Sequence, residues 1–370
     1  MLFLTLATFR ETGGIQMVSR TMTKALSNIG RNEGIAFQML SLCDAKADVD
    51  VNCISSQAFK GFHFNKCWFS IYAMWKACSA KTVILAHFNL LPLAYLIKLF
   101  SPTTKITMLA HGKEVWGRMP YWKRNLLNHD VSVWAVSTFT KTVLVDKHQI
   151  TPDRIQVLNN CLDPSFTIPT AFDKPEYLLE RYHATQSTKI LLTLTRLDSF
   201  ERDKGYDMVL DCLPSLIQTH PDLLYLIAGK AADAERKRIQ SIIQTLKLEQ
   251  HVMLTGFVPP EELADHHLLS DIFVLPSIKE GFGLVFLEAA ACGSDIIAGN
   301  RDGSVDALLN GSLGHLVDPY EPAKLAVALK QLLSKPRDPV NQQRKQTLAT
   351  TAFSFKKYQQ TIQSLLSSMQ

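Results

Sequence analysis

The sequence predicts a two-domain α/β protein in which each domain is a doubly wound, mostly parallel sheet. A chain of 370 residues exceeds the size at which a single hydrophobic core usually keeps growing, so two domains are expected. Short apolar runs alternate with amphipathic segments along the chain, as in parallel strands joined by crossover helices. A polar, proline-containing stretch separates two such series and marks the domain boundary.

The strands are predicted from runs of leucine and β-branched residues, which are typical of strands buried on both faces of a sheet. The first half of the chain contains five such runs: LFLTLATF, TVILAHF, ITMLAHG, VWAVS and IQVLNN. The second half contains five more: KILLTLT, LLYLIAGK, HVMLTG, DIFVLPS and DIIAG. Each half therefore supplies enough strands for its own sheet.

The boundary is placed near residues 165–185, where the stretch from Asn159 to Lys189 lacks a long strand. We predict an N-terminal domain at residues 1–165 and a C-terminal domain at 166–352. A helix at about 353–370 is expected to pack back on the N-terminal domain.

Composition indicates a globular protein, and its charged residues are unevenly distributed between the two halves of the chain. Apolar residues make up 46% of the chain and charged residues 20%. Residues 1–165 hold 18 Lys and Arg against 10 Asp and Glu, whereas the remainder holds 21 against 24. The basic half is either an ordinary solvated surface or a face for anionic lipid or an anionic acceptor. Nucleic acid is not expected as a partner, because no basic helix or aromatic RNA-binding signature accompanies the charge.

The cysteines and the apolar segments favour a cytoplasmic protein, soluble or peripheral to a membrane. The seven cysteines are odd in number and lack CxxC spacing, so reduced thiols are expected. The opening MLFLTLATF lacks a basic flank and reads as a buried strand rather than a signal peptide. Polar residues and a proline interrupt the best candidate for a membrane span, Val83 to Phe100.

The stretch KEGFGLVFLEAAACG, from Lys279 to Gly293, is predicted to be a loop followed by a helix. Gly281 and Gly283 allow backbone amides to approach a ligand, and the helix N-terminus favours an anion such as phosphate. Glu280 lies in the loop and Glu288 about five residues into the helix, so the two acids contact different parts of one ligand. Carboxylates accept hydrogen bonds from paired hydroxyls, which makes sugar or ribose a sensible partner. The competing interpretation is the acid and base pair of a glycoside hydrolase, which has no need for a phosphate site.

A second motif, LTLTRLDSFERDKGYD, places Arg196 and Lys204 around a loop that follows a predicted strand. Two cations at the carboxyl end of a strand would neutralise a diphosphate. Ordinary salt bridges with the acidic residues of the same loop are the alternative.

Other candidate residues also follow predicted strands. Gly13 and Gly14 come after the first run, His111 and Gly112 after ITMLA, and Gly229 after LLYLIA. Ligands of doubly wound sheets bind outside the carboxyl ends of the strands. We therefore expect a single cleft to collect these loops.

These motifs in this order resemble the retaining glycosyltransferases of family 4, which share the GT-B fold of two Rossmann-like domains facing across a cleft. The resemblance runs along nearly the whole chain and is densest from Lys189 to Pro319. It rests on RLDSFERDKGYD, LLYLIAGK, HVMLTGFVPPEELADHHLLSDIFVLPS, EGFGLVFLEAAACG and GHLVDP.

The resemblance implies a role for each candidate residue. Glu280 matches the residue that holds the donor sugar, and Glu288 the residue that holds the nucleotide ribose. Arg196 and Lys204 match the diphosphate-binding pair. The phosphate-facing loop is matched by the amides of Phe282, Gly283 and Leu284.

The N-terminal half resembles the family more loosely. ETGGIQ is similar to the glycine loop that approaches the donor phosphates and acceptor, which gives Gly13 and Gly14 that role. HGKE is similar to the segment whose histidine, here His111, faces the reacting sugar. The chain departs from the family where Asp306 stands at a position commonly held by glutamate.

The implied activity is hexosyl transfer with retention, from a nucleotide-diphosphate donor such as GDP-mannose or a UDP-hexose to a hydroxyl of a glycan or lipid-linked oligosaccharide. Polysaccharide biosynthesis at a bacterial surface is the expected context. A sugar-nucleotide epimerase or a phosphorylase on a GT-B scaffold is one alternative, although the lysine context of a pyridoxal-dependent phosphorylase is missing. A catalytically silent nucleotide-sugar-binding protein is the other.

No metal cofactor is expected, because side-chain cations are available to neutralise the leaving diphosphate. The acidic triplet DVD, Asp48 to Asp50, has the form of a metal-binding motif of a different transferase fold and is interpreted as a chance match.

An anionic membrane on the inner face of the plasma membrane is a candidate partner. MPYWKRNLL, Met119 to Leu127, would touch it through Tyr121 and Trp122. An ordinary helix that packs those aromatic rings inward is the competing interpretation.

Overall fold

The computed structural model describes residues 1–369 and divides into two compact units. Unit 1 comprises residues 1–164 and the segment from Ser354 onward, and unit 2 comprises residues 165–353. Each unit contains one sheet in which the paired strands run parallel. The predicted fold class, two doubly wound α/β domains, is therefore confirmed.

The sheet of unit 1 has seven strands in the order β3-β2-β1-β4-β5-β6-β7. The order reverses between β1 and β4, which is where ligands of such sheets bind. The strands are β1 (Leu2–Thr5), β2 (Gln38–Ser41), β3 (Phe59–Gly61), β4 (Thr82–Leu85), β5 (Lys105–Ala110), β6 (Val131–Ala135) and β7 (Ile155–Val157).

Helices cover the sheet of unit 1, and the C-terminal helix α15 packs against α1. Tyr358 and Ile362 of α15 are buried in one cluster with Met22, Leu26 and Ile29 of α1. The α-helices are α1 (Gly14–Glu33), α2 (Lys66–Ala77), α3 (Leu91–Phe100), α4 (Lys113–Trp116), α5 (Tyr121–His129), α6 (Thr138–Asp146) and, at the end of the chain, α15 (Phe355–Ser368). Short 3₁₀ helices span Lys46–Asp48, Phe88–Leu90 and Pro152–Arg154.

Unit 2 has six strands in the order β10-β9-β8-β11-β12-β13, so its order reverses between β8 and β11. The strands are β8 (Ile190–Leu194), β9 (Leu224–Ala228), β10 (Val252–Gly256), β11 (Ile272–Leu275), β12 (Asp295–Gly299) and β13 (His315–Val317). The α-helices are α7 (Glu176–Arg181), α8 (Tyr206–Ile217), α9 (Asp233–Thr245), α10 (Leu263–Leu269), α11 (Leu284–Ala291), α12 (Ser304–Ala307), α13 (Pro322–Leu333) and α14 (Pro339–Ala352), with 3₁₀ helices at Ser199–Lys204 and Pro260–Glu262.

All ten predicted strands are present, but β2, β3 and β13 were not predicted. These three strands contain four, three and three residues. β3 and β13 are edge strands, and β2 lies next to the edge strand β3. Such short segments carry too few apolar residues to form a recognisable run, so their pairing partners decide their structure.

Among the described residues, no helix has the length and apolar character needed to cross a bilayer. The apolar stretch from Val83 to Phe100 forms β4, a short 3₁₀ helix and α3. The aromatic residues at the start of α5 point outward, since Tyr121 is 74% exposed and Trp122 41%. The interpretation in which these rings pack inward is therefore wrong.

His267 of α10 is completely buried, and neither ring nitrogen has a hydrogen-bond partner among the described residues. Its ring packs edge-on against Phe273 of β11, with centroids 5.2 Å apart. Burial lowers the pKa of His267 from 6.5 to about 3, and the neighbouring His266 adds to the decrease. The folded chain therefore holds this imidazole neutral.

We predict that His267→Leu makes the folding stability less sensitive to acid. Between pH 6.5 and about 3 the unfolded chain binds a proton at His267 that the folded chain excludes, so stability falls as pH falls through this window. Urea unfolding at a series of pH values should show the stability difference between variant and parent growing as pH decreases. His220→Leu, at a partly exposed histidine of the same unit, is the control. A difference that stays constant with pH would contradict the prediction.

Candidate functional site

The predicted residues of unit 2 lie at the edge of the sheet where β8 and β11 end. These strands pair in parallel, with Leu191 opposite Ile272 and Leu192 opposite Phe273. Parallel strands end at the same edge, so the loop after β8 and the loop after β11 emerge side by side. The first loop carries Arg196 and Lys204, and the second carries Glu280.

Lys204 and Glu280 form an ion pair between these two loops. The Nζ of Lys204 donates to Oε2 of Glu280 at 2.6 Å, and a carboxylate oxygen of Glu201 lies 3.7 Å from the same nitrogen. The side chains of Lys204 and Glu280 are 12% and 18% exposed. Burial alone would lower the pKa of Lys204, but the Glu280 carboxylate outweighs it, and the pKa lies above its ordinary value of 10.5.

Two backbone contacts fix the loops that carry this pair. The amide of Ile278 donates to the carbonyl of Asp203 at 2.8 Å. Gly205 has φ +81°, and a Cβ there would lie 2.4 Å from the carbonyl oxygen of Pro276. Only glycine combines that backbone conformation with so close an approach, so Gly205 places Lys204 against the second loop.

Asp302 holds the second loop in place, and the sequence analysis did not identify it. Its carboxylate accepts hydrogen bonds from the Ser277 hydroxyl at 2.7 Å, the Glu280 amide at 2.7 Å and the Ser304 amide at 3.0 Å. The side chain is 1% exposed. Burial raises the pKa of Asp302 above its ordinary value of 3.8, and the hydrogen bonds offset this only in part. Its one signal in the sequence is the pair Asp302-Gly303 after a predicted strand.

The helix that follows the second loop, α11, begins directly after Gly283 as predicted. Gly283 has φ +93°, and a Cβ there would lie 2.3 Å from the ring of Phe286. Phe282 is buried, while Leu284 and Gly281 are partly exposed. Glu288 is the fifth residue of α11 and is buried in unit 2.

Arg196 follows β8 and extends into solvent. Among residues 1–369, the guanidinium of Arg196 forms no ion pair with a carboxylate. The alternative in which Arg196 and Lys204 form surface salt bridges within their own loop is thus not seen for Arg196. Lys204 does contact an acid of its own loop, since Glu201 lies 3.7 Å from its Nζ, but its closer partner is Glu280 of the second loop at 2.6 Å.

In unit 1, the loop after β1 leads into α1, with Gly13 preceding the helix and Gly14 as its first residue. Asp44, which is completely buried, accepts hydrogen bonds from the amides of Thr8, Phe9 and Arg10 and from the Ser41 hydroxyl. Arg20 of α1 donates to the carbonyls of Thr8 and Glu11. A buried carboxylate therefore fixes this loop too, and the sequence analysis did not identify it.

His111 follows β5 in unit 1 and is oriented by two contacts. Its Nε2–H donates to the carbonyl of Ala86 at 2.7 Å, and its amide donates to Glu114 at 2.6 Å. This tautomer leaves Nδ1 as the acceptor of the neutral ring. His87, after β4, stacks on His111 with ring centroids 6.5 Å apart. Burial lowers the pKa of His87. The sequence analysis had read His87 only as an interruption of an apolar run.

The acids of the DVD triplet stabilise local turns. Asp48 accepts a hydrogen bond from the amide of Ala45, and Asp50 accepts one from the amide of Asn52. Over residues 1–369, no cluster of three or more His, Cys, Asp or Glu has the arrangement needed to hold a metal ion.

Asp306 is the residue at which the sequence departs from the family that it resembles. It lies in α12 and is partly buried.

Residues 182–348 match the family model described as glycosyl transferases group 1. A GDP-mannose-dependent α-(1-6)-phosphatidylinositol monomannoside mannosyltransferase of Mycolicibacterium smegmatis is 30% identical over 244 residues, which are 63% of this chain and 62% of that enzyme. A D-inositol 3-phosphate glycosyltransferase of Corynebacterium jeikeium is 35% identical over 151 residues, 40% of this chain and 35% of that enzyme. The chain thus spans less than two thirds of the length of these relatives.

Anabaena Alr3699/HepE, solved in complex with UDP, superposes with a TM-score of 0.79 at 18% identity, covering 99% of both chains. This likeness shows that the fold is GT-B. Residues 182–348 match the glycosyl transferases group 1 family, and this match agrees with the resemblance to family 4 glycosyltransferases. The resemblance found in the sequence is confirmed.

We predict that Asp302→Ala destabilises unit 2 and loosens the loop that carries Glu280. The change leaves up to three buried donors without an acceptor, and each unsatisfied donor costs about 1–3 kcal/mol. Chemical unfolding should show a lower free energy of unfolding, and hydrogen exchange should show faster exchange at the Glu280 amide. Asp222→Ala, at an exposed carboxylate of the same unit, is the control. A Glu280 amide as protected as in the parent would rule out this role.

We further predict opposite effects of alanine at two glycines. Gly283→Ala forces a clash with Phe286 and a strained backbone, so it lowers the melting temperature. Gly14→Ala meets no atom within 4 Å, so the fold is unaffected or gains up to about 1 kcal/mol. Thermal unfolding compares the two. A Gly14→Ala variant that unfolds at a lower temperature than the parent would contradict the prediction.

Proposed function

We propose that this protein transfers a hexose from a nucleoside diphosphate donor to an acceptor hydroxyl, with retention of the anomeric configuration. The observation that carries the proposal is the partly buried Lys204–Glu280 pair at the edge where β8 and β11 end. It combines a cation for a diphosphate with a carboxylate for sugar hydroxyls, beside the N-terminus of α11. The group 1 match over residues 182–348 supports the same activity.

Lys204 and Arg196 are the proposed diphosphate ligands. The raised pKa of Lys204 keeps its ammonium charged at neutral pH. An ammonium has three N–H donors, so Lys204 can contact Glu280 and a phosphate oxygen at once. The exposed guanidinium of Arg196 offers a fork that matches two phosphate oxygens.

Glu280, Glu288 and the amides around Phe282, Gly283 and Leu284 complete the proposed donor site. Glu280 accepts hydrogen bonds from the sugar, and Glu288 from the ribose. The amides and the start of α11 supply partial positive charge for phosphate. In unit 1, Gly13 and Gly14 are proposed to admit the donor phosphates, and His111 to face the reacting sugar.

In the proposed mechanism the bond from the sugar to the diphosphate breaks before the acceptor bond is complete. Negative charge builds on the leaving diphosphate, and Lys204 and Arg196 stabilise it more in the transition state than in the ground state. The acceptor hydroxyl attacks from the face that the diphosphate leaves, and a phosphate oxygen takes its proton. These cations belong to the chain, so we propose that no metal ion is required.

The donor and acceptor are proposed by class. One relative is named for GDP-mannose and a phosphatidylinositol mannoside, and the solved HepE contains UDP. Both names point to a nucleoside diphosphate donor. A glycan or lipid-linked acceptor, reached by a cytoplasmic protein at an anionic membrane surface, fits the excess of basic residues in the N-terminal half.

We predict that Lys204→Met and Arg196→Ala each reduce transfer. Removing one preorganised donor to a transition-state charge typically costs about 10²–10³-fold in turnover. The measurement is kcat and KM with radiolabelled GDP-mannose and UDP-hexoses, and calorimetry with GDP and UDP reports binding separately. Lys237→Met, at an exposed lysine of α9, is the matched control.

Three outcomes would contradict the proposal. The first is near-parental transfer by a folded Lys204→Met/Glu280→Ala double variant. The second is an epimerised sugar when the protein is incubated with donor alone. The third is nucleotide binding without transfer to any acceptor tested, which would indicate a silent binding protein.

A further inference from the structure

Helix α2 of unit 1 is apolar on two opposite sides. Its inner side, Phe69, Ala73 and Ala77, is buried in the core. Its outer side repeats apolar residues at positions i, i+3, i+4 and i+7, namely Trp68, Ile71, Tyr72 and Trp75. Trp75 is 63% exposed. A helix that is apolar all round normally has a partner on both sides.

Helix α3 has the same arrangement. Leu91, Ala94 and Ile97 are buried in the core that contains the inner side of α2. Tyr95, Leu96, Leu99 and Phe100 are exposed, and Phe100 is 68% exposed. The two helices pack against each other on the same side of the sheet. Their outer sides therefore face away from the same core, on the same side of the sheet.

The first turn of α5 extends this surface. The ring of Trp122 meets Tyr95 of α3 edge-on, with centroids 6.4 Å apart. We call the resulting surface, made by Trp68, Ile71, Trp75, Tyr95, Phe100 and Trp122, the outer aromatic face. Exposed apolar surfaces of this kind mark interaction sites when polar residues surround them.

The segment of the chain that carries α2 and α3 has charged side chains of one sign only. Residues 51–113 contain seven lysines and no arginine, aspartate or glutamate. Lys60 lies 3.7 Å from the ring centre of Tyr72, and Lys76 lies 4.7 Å from that of Trp75. Lys123 lies 5.5 Å from the ring centre of Trp122. The ammonium groups are thus held among the aromatic rings.

We propose that the outer aromatic face docks on the surface of an anionic lipid bilayer. Tryptophan and tyrosine rings favour the boundary between headgroups and acyl chains, and lysines beside them attract anionic headgroups. A second copy of this chain does not fit, because two lysine-bearing faces without acids would repel each other. The inference assigns a docking surface to the anionic membrane named in the proposed function, but it does not depend on sugar transfer.

The test is flotation of the 370-residue chain with vesicles of phosphatidylcholine alone or mixed with phosphatidylglycerol. The parent should bind the anionic vesicles and lose binding as salt rises. Trp68→Ser/Trp75→Ser should lose at least about tenfold in affinity, since two interfacial rings are removed. Lys60→Gln/Lys76→Gln should lose about fivefold for each lysine.

Matched controls remove the same chemistry elsewhere. Val327→Ser/Val340→Ser removes two exposed apolar side chains of unit 2, and Lys237→Gln/Lys335→Gln removes two exposed lysines there. Both should bind vesicles as the parent does. Circular dichroism and calorimetry with GDP and UDP confirm that each variant is folded, and they keep the outcome separate from that of the proposed transfer.

Brominated lipids provide a direct readout of insertion, because they should quench tryptophan fluorescence of the parent more than that of Trp68→Ser/Trp75→Ser. Three results would overturn the proposal. The first is a parent that does not bind anionic vesicles, and the second is a Trp68→Ser/Trp75→Ser variant that binds them as the parent does. The third is self-association of the parent in sedimentation that the Trp68→Ser/Trp75→Ser variant loses.

Discussion

The pairing of β8 with β11 is the constraint on which the candidate donor site depends. Some 80 residues separate these strands in the chain, and only their parallel register places the loop after β8 beside the loop after β11. Lys204 and Glu280 can then meet at 2.6 Å. The strand order reverses at this point, so no crossover helix fills the space above it. The sheet thus creates both the contact and the room for a ligand.

Both units use a buried aspartate to hold the loop that follows a strand. Asp44 accepts hydrogen bonds from the amides of Thr8, Phe9 and Arg10 in unit 1. Asp302 accepts hydrogen bonds from the Glu280 amide, the Ser277 hydroxyl and the Ser304 amide in unit 2. A buried carboxylate is costly unless several donors satisfy it, so once satisfied it permits few other loop conformations. The loops proposed to contact the donor are therefore rigid without being part of a strand or helix.

The two sides of α2 and α3 show which properties of a helix the sequence reveals and which only the tertiary structure reveals. Their apolar character is visible in the sequence, but it is shared by core helices and by helices that meet a second partner. Burial distinguishes the two cases, because Phe69 lies in the core while Trp68, one residue away, is half exposed. The absence of acids from residues 51–113 then gives this surface its chemistry.

The sequence by itself determined the ten main strands and the α/β class, and it supplied the candidate donor-site residues of the second half. Those strands are continuous apolar runs, and Arg196, Lys204, Glu280 and Glu288 lie in motifs with fixed spacing around glycines. Tertiary structure alone decided that Lys204 pairs more closely with Glu280 than with Glu201 of its own loop. It also decided that Asp44, His87 and Asp302 support the loops. Short strands such as β13 and single buried acids leave no periodic signal, because their roles depend on partners distant in the chain.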